Sequence, residues 1–353
     1  MTSVALASFA NELGWQHLSG LALQHYNRAI CQTQKAIQDP KSADADDALA
    51  AVLLLSSFET VSTDVAFCTK NWTLHVRGTC ALSRARGATL LDTAFGRKMF
   101  MQVVGSVQVD CIQSRTRLPE PLQAVMKLMA DSHLSGPRQG LQRIVGGLIN
   151  LRASVAEGES TQASEVIDVA MRLDKEAQLL ESSMHMHPEY RYTVLQADGI
   201  DTCGETRHLY PSTSATLIWN SVRMLRIVFN DVVVSQLSES EVQVDGSAAA
   251  LRVCKARATV SRICLEICES APRAAVLDTG HDAFDHVAAI NFSIWPLFKA
   301  GSAALAPAVV RDRALAKLTE LGHRHHVQRA CIAAEQLKRR DHDDVWMHIN
   351  HMF

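Results

Sequence analysis

The stretch Ile218-Trp219-Asn220-Ser221-Val222-Arg223-Met224-Leu225-Arg226-Ile227-Val228-Phe229-Asn230-Asp231-Val232-Val233-Val234 decides the fold class. Ile218, Val222, Leu225, Phe229 and Val232 recur at steps of four and three, which sets them on one stripe of an α-helix. The β-branched run at its end closes a long helical pattern and does not stand between turns, so it reads as helix and not as a strand. The same spacing returns in Val310, Ala314, Leu318 and Leu321, and after a break expected at Gly322 in Ala330, Ala334 and Leu337. No convincing series of alternating strands occurs.

Helix ends are legible between these stripes. Asp39-Pro40 is a stop, because the residue before proline is driven out of the α region. Asp44, Asp46 and Asp47 suit the positive end of the helix that follows. Leu118-Pro119-Glu120-Pro121, Gly136-Pro137 and Glu157-Gly158-Glu159-Ser160 are further stops and restarts. The expectation is an all-α protein: a compact domain of roughly a dozen helices spanning residues 1–353. Residues 185–211 differ. They carry Pro188, Gly199, Gly204 and the tyrosines Tyr190, Tyr192 and Tyr210, without a helical stripe over most of their length. Their aromatic content predicts an ordered, packed irregular segment. Residues 235–247 read as a solvated connection.

Bulk composition narrows the function classes. The 353 residues are 47% hydrophobic, ample for a large core, and the formal net charge of −2 argues against a polyanion-binding surface. The longest apolar run, Ala48 to Leu55, is far too short to cross a bilayer, and no membrane association is expected. The N-terminus lacks a basic region, and Asn11 and Glu12 cut its apolar stretch, so it reads as an amphipathic first helix. Nine scattered cysteines then read as reduced, mostly core thiols of the cytosol or nucleus.

Motifs that would announce chemistry are missing: HExxH, GxSxG, GxGxxG and GxxxxGK[ST] do not occur. Cys264 and Cys268, the close cysteine pair, share a helical face with apolar neighbours and read as core. The histidine groups His323, His325, His326 and His342, His348, His351 read as solvated or core side chains, so no metal and no cofactor is expected. Asp198, Asp201, Cys203, Glu205 and His208 could line a pocket, but read better as a polar loop.

Longer blocks carry a resemblance. They are Leu21-Ala22-Leu23-Gln24-His25-Tyr26-Asn27-Arg28-Ala29-Ile30 with Asp46 to Leu55 and Phe58-Glu59; Trp72-Thr73-Leu74-His75-Val76-Arg77-Gly78 with Arg86-Gly87 and Gly96-Arg97; Trp219-Asn220-Ser221-Val222-Arg223; and Trp295-Pro296-Leu297-Phe298-Lys299-Ala300-Gly301. In order and spacing, over about residues 15–340, the chain resembles the regulatory domain of fungal zinc-cluster transcription factors, the "fungal-specific transcription factor" domain. As architecture, Asp47 to Leu55 is apolar nearly all round and belongs inside a helical assembly. Trp219, Asn220 and Arg223 put a large anchor and two polar arms on an apolar helix, where buried polar groups tie neighbouring helix ends together.

The resemblance implies a transcription-regulatory protein acting through protein partners or a small-molecule ligand, with secondary-metabolite biosynthesis as a field of action and the nucleus, or alternatively the cytoplasm, as its place. Its alternative is an enzyme on the same scaffold, performing a cyclisation or isomerisation. A homo- or heterodimerising partner is a third reading. Such regulators carry six cysteines in two close groups that hold two zinc ions, with a heptad linker behind. Here Cys31 is the first cysteine and stands alone, so no direct sequence-specific DNA binding is expected from this chain. The candidate ligand-binding residues are His75, Arg77, Trp219, Arg223, Trp295, Tyr190 and Tyr192; no catalytic residue is assignable.

Overall fold

The computed structural model describes residues 1–13, 15–38, 46–61, 65–131, 136–159, 162–196, 206–239, 246–272, 283–324 and 327–339. Thirteen α-helices, one short 3-10 helix and one two-stranded sheet make up the described residues, so the expected all-α class is what the chain adopts. The chain divides into two compact units, residues 1–134 and 135–352.

The first unit holds α1 (Thr2–Leu13), α2 (Gln16–Gln38), α3 (Asp46–Val61), α4 (Val65–Arg86), the 3-10 turn Gly87–Leu91, α5 (Ala94–Ser114) and α6 (Glu120–Asp131). Asp46 and Asp47 occupy the first turn of α3, as the dipole argument requires. Helix α3 packs on α1, α2 and α4, and buries Ala48, Leu49, Val52, Leu53, Leu55 and Phe58. Thr93 caps α5, its side chain accepting from the Gly96 amide at 2.8 Å. Pro119 and Pro121 flank Glu120 at the start of α6, where proline needs no amide partner.

The second unit holds α7 (Pro137–Ala156), α8 (Ala163–Met186), β1 (Thr193–Gln196), β2 (Thr206–Leu209), α9 (Thr213–Glu239), α10 (Gly246–Ser270), α11 (Ala283–Ser302), α12 (Ala308–Arg324) and α13 (Gln328–Arg339). Gly136-Pro137 opens α7, and Gly158, at φ +73°, follows its end. Helix α9 is the centre of this unit, packed on α7, α8, α10 and α11. The expected stripe is there, with Ile218, Val222, Leu225 and Phe229 buried and Val232 half-buried. The burial is nevertheless wider than a stripe: every residue from 218 to 229 is buried, including Asn220, Ser221, Arg223 and Arg226. A helix surrounded on all sides has no solvent face, so its polar side chains must find partners inside.

Several expectations are corrected. The segment 185–211 is not irregular throughout: its first residues end α8, and Thr193–Gln196 pairs antiparallel with Thr206–Leu209, with Val194 opposite His208. The polar connection read at 235–247 is shorter, because α9 runs to Glu239 and α10 begins at Gly246. Gly322 does not break a helix; it lies inside α12, where it lets α13 approach, and a Cβ there would sit 2.5 Å from the Cys331 sulfur. Nor are the described thiols mostly core. Cys111, Cys264 and Cys268 are buried, but Cys31 and Cys254 are exposed. Asp39-Pro40, Asp44, Ser160, Gly199, Gly204, the cluster Asp198, Asp201, Cys203 and Glu205, and His325, His326, His342, His348 and His351 lie outside the described residues.

Candidate functional site

Arg223 organises the polar interior of the second unit. Its side chain is fully buried on α9, yet every face of the guanidinium is occupied. Nε donates to Glu266 Oε2 at 3.2 Å, Nη1 to the Tyr210 hydroxyl at 2.6 Å and to Asn220 Oδ1 at 3.1 Å, and Nη2 reaches His208 Nδ1 at 3.4 Å. The rings of Trp219, Tyr192 and Tyr210 surround the cation at 5.2, 5.5 and 5.9 Å. Burial alone would lower the guanidinium's pKa, but Tyr210 and Glu266 hold it above the usual range. The planar fork suits this many-sided contact, which a lysine could not reproduce.

The partners come from three directions. Glu266 lies on α10 and is shared with Arg262 one turn earlier. His208 comes from β2, and its other nitrogen stands 3.3 Å from Glu269 Oε2, while Oε1 of the same carboxylate accepts from the Thr206 hydroxyl. Since Nδ1 faces a guanidinium, the proton sits on Nε2, on the side of Glu269. Burial and then the Arg223 charge lower His208 to about 4, so it is neutral at physiological pH. Burial raises the Tyr210 hydroxyl well above its ordinary value, so it stays protonated. Trp219 Nε1 donates to the Tyr190 carbonyl at 2.8 Å, and Asn220 Nδ2 to Ser270 Oγ at 2.9 Å.

A second arginine extends the knot. Arg226 reaches α8, with Nε to Asp174 Oδ1 at 2.8 Å and Nη1 to Glu181 Oε2 at 2.6 Å. Lys299 of α11 binds Asp231 at 2.9 Å. Helix α9 is thus tied separately to the hairpin, α8, α10 and α11. Breaking a buried pair of this kind by removing one member costs about 3–5 kcal/mol, because the other is left unpaired.

Of the residues singled out in the sequence, Trp219, Arg223, Tyr190 and Tyr192 are brought together here. Trp295 stands elsewhere, half-buried on α11 with its ring 6.0 Å from Phe298. His75 and Arg77 belong to the first unit. His75 Nε2 is 2.7 Å from the Tyr26 hydroxyl, which donates to Glu59. Glu59 is fully buried and its pKa is raised by that burial; Tyr26 stacks on Phe58 at 4.2 Å. Sequence reasoning missed Tyr26, Glu59, Glu181, Glu266 and Glu269 as partners. The available signal was a carboxylate at the end of an apolar helix, as in Phe58-Glu59.

Arg77 faces Asp110 at 3.9 Å and borders a cavity of about 280 Å³ in the first unit. Phe100 of α5 and Leu122 and Val125 of α6 form its apolar wall; Cys80, Ser83 and Arg84 complete the α4 side. Among the described residues, no group of three His, Cys, Asp or Glu side chains is placed to hold a metal ion, and no helix is long and apolar enough to cross a membrane.

The helical architecture and the arginine knot define an all-α scaffold whose buried polar side chains link neighbouring elements. The chain belongs to the fungal specific transcription factor domain family, whose model matches residues 1–349. That membership supports a regulatory role. No curated protein and no solved structure matches the chain.

Proposed function

We propose that this protein is a ligand-responsive transcriptional regulator that works in the nucleus through protein partners, with genes of secondary-metabolite biosynthesis among its targets. The family match over residues 1–349 carries the reading. The half-open pocket beside Arg77 supports its ligand-responsive part, since small-molecule sites are concave and largely apolar with a few polar groups. The knot around Arg223 supports a division of labour. Its donors are engaged within the protein, so its task in this reading is to hold α8, α9, α10 and the hairpin as one body. One domain covering the whole family match is part of the same proposal.

Transcript profiling of a deletion strain and its complemented counterpart tests this. A coherent set of genes, secondary-metabolite clusters first, is expected to change on deletion and to return on complementation. Transcript levels indistinguishable between the two strains overturn the reading.

A further inference from the structure

We infer that the cavity of the first unit binds a small organic monoacid, a carboxylate on a short-chain or single-ring hydrocarbon body; this names the ligand class for the ligand-responsive reading above and rests on it for its biological meaning. Size sets the first limit. About 280 Å³ lies just below the usual span of ligand pockets, roughly 300–1,000 Å³, so the concave part holds no more than a short chain or a single ring. The wall sets the second. Phe100, Leu122 and Val125 are at most 8% exposed and offer only hydrocarbon.

The polar groups set the third limit. Ser83 lines the cavity at 3% exposure, and its hydroxyl has no hydrogen-bond partner. Other buried hydroxyls of this unit behave differently: Ser56 and Thr79 each donate to a carbonyl one turn earlier, at 2.7 Å. The hydroxyl is closed to solvent, so it meets a ligand oxygen only once its χ1 turns towards the cavity, and that bond then recovers the cost of the missing one. Arg77 and Arg84 lie seven residues apart on α4, hence on one face, and both line the cavity. Arg77 turns its Nε to Asp110, leaving its terminal nitrogens, and Arg84 makes no ion pair among the described residues. Two cations beside one carboxylate leave a single positive charge, which a monoanion matches. Glu120 stands between the prolines of the rim but is exposed and does not line the cavity.

Isothermal titration of the purified 353-residue chain with benzoate and octanoate, against benzamide and octanol, tests the inference. The acids are expected to bind roughly tenfold more tightly than their neutral counterparts. Arg84→Gln is expected to remove that preference while leaving the neutral compounds unaffected. Val125→Phe, or Ala81→Leu where the first fails to fold by circular dichroism, is expected to abolish binding of all four. Absence of acid binding up to millimolar concentration overturns the site, as does equal acid binding by the filled variants. The regulatory reading fails separately. Normal transcription in cells carrying Arg84→Gln, after acid binding has been lost in vitro, sinks ligand control and leaves the site standing. Altered transcription on deletion, with no acid bound by the purified protein, does the reverse.

Discussion

At the scale of single residues, the protein is marked by charged groups held where water does not reach. Arg223 is tolerated because six neighbours share its donors and the faces of its guanidinium. His208 shows the consequence for pH. Its folded value of about 4 lies below the ordinary 6.5, so the unfolded chain takes up a proton first as the pH falls. The stability that depends on neutral His208 is therefore complete above pH 6.5 and lost progressively towards pH 4. In urea titrations across that window, His208→Gln is expected to flatten the acid-side decline relative to wild type, by on the order of 3 kcal/mol at most. An unchanged slope would mean that the imidazole is not buried neutral against Arg223. A protonated His208 would place a second cation beside the guanidinium, which is why the effect has this sign.

Helices bring a different physics, that of close approach. Gly146 and Gly322 look alike in sequence, each a glycine inside a helical pattern, and a propensity argument treats them identically. Their surroundings differ. A Cβ at Gly146 meets nothing within 4 Å, so Gly146→Ala is expected to stabilise by about 0.5–1 kcal/mol. A Cβ at Gly322 would lie 2.5 Å from the Cys331 sulfur and 3.0 Å from its backbone nitrogen. Backbone cannot rotate away, so α13 must shift, and Gly322→Ala is expected to cost about 1–3 kcal/mol. Thermal unfolding of the two variants should move the midpoint in opposite directions; shifts of the same sign would show that α12 and α13 do not pack as described. The hairpin escaped sequence reading for a reason of scale as well. Two four-residue strands are too short for alternation to stand out from chance, and only their pairing identifies them.

For the whole molecule the relevant quantity is charge. A formal net charge of −2 over 353 residues gives duplex DNA no long-range attraction. The purified chain is accordingly expected to show weak duplex binding with little change between about 50 and 200 mM salt. A steep salt dependence in a gel-shift titration would contradict this and would reveal a basic surface acting on its own. In the regulatory reading, contact with a promoter is then made through partners, and the protein's own contribution is the recognition of a small molecule.

The sequence by itself determined the helical class, most helix ends, and the grouping of Trp219 as an anchor with Asn220 and Arg223 as polar arms on an apolar helix. These are local properties: a repeat of 3.6 residues, a proline that lacks an amide, and an aspartate at a helix start act over a turn or two of chain. Tertiary structure alone decided that α9 is enclosed on every side, that Arg223 meets Glu266 43 residues later and Tyr210 13 residues earlier, and that Ser83 is left without a partner at the edge of a cavity. Each of those depends on which segments distant in sequence come into contact, and periodicity says which face a helix buries without saying what it is buried against.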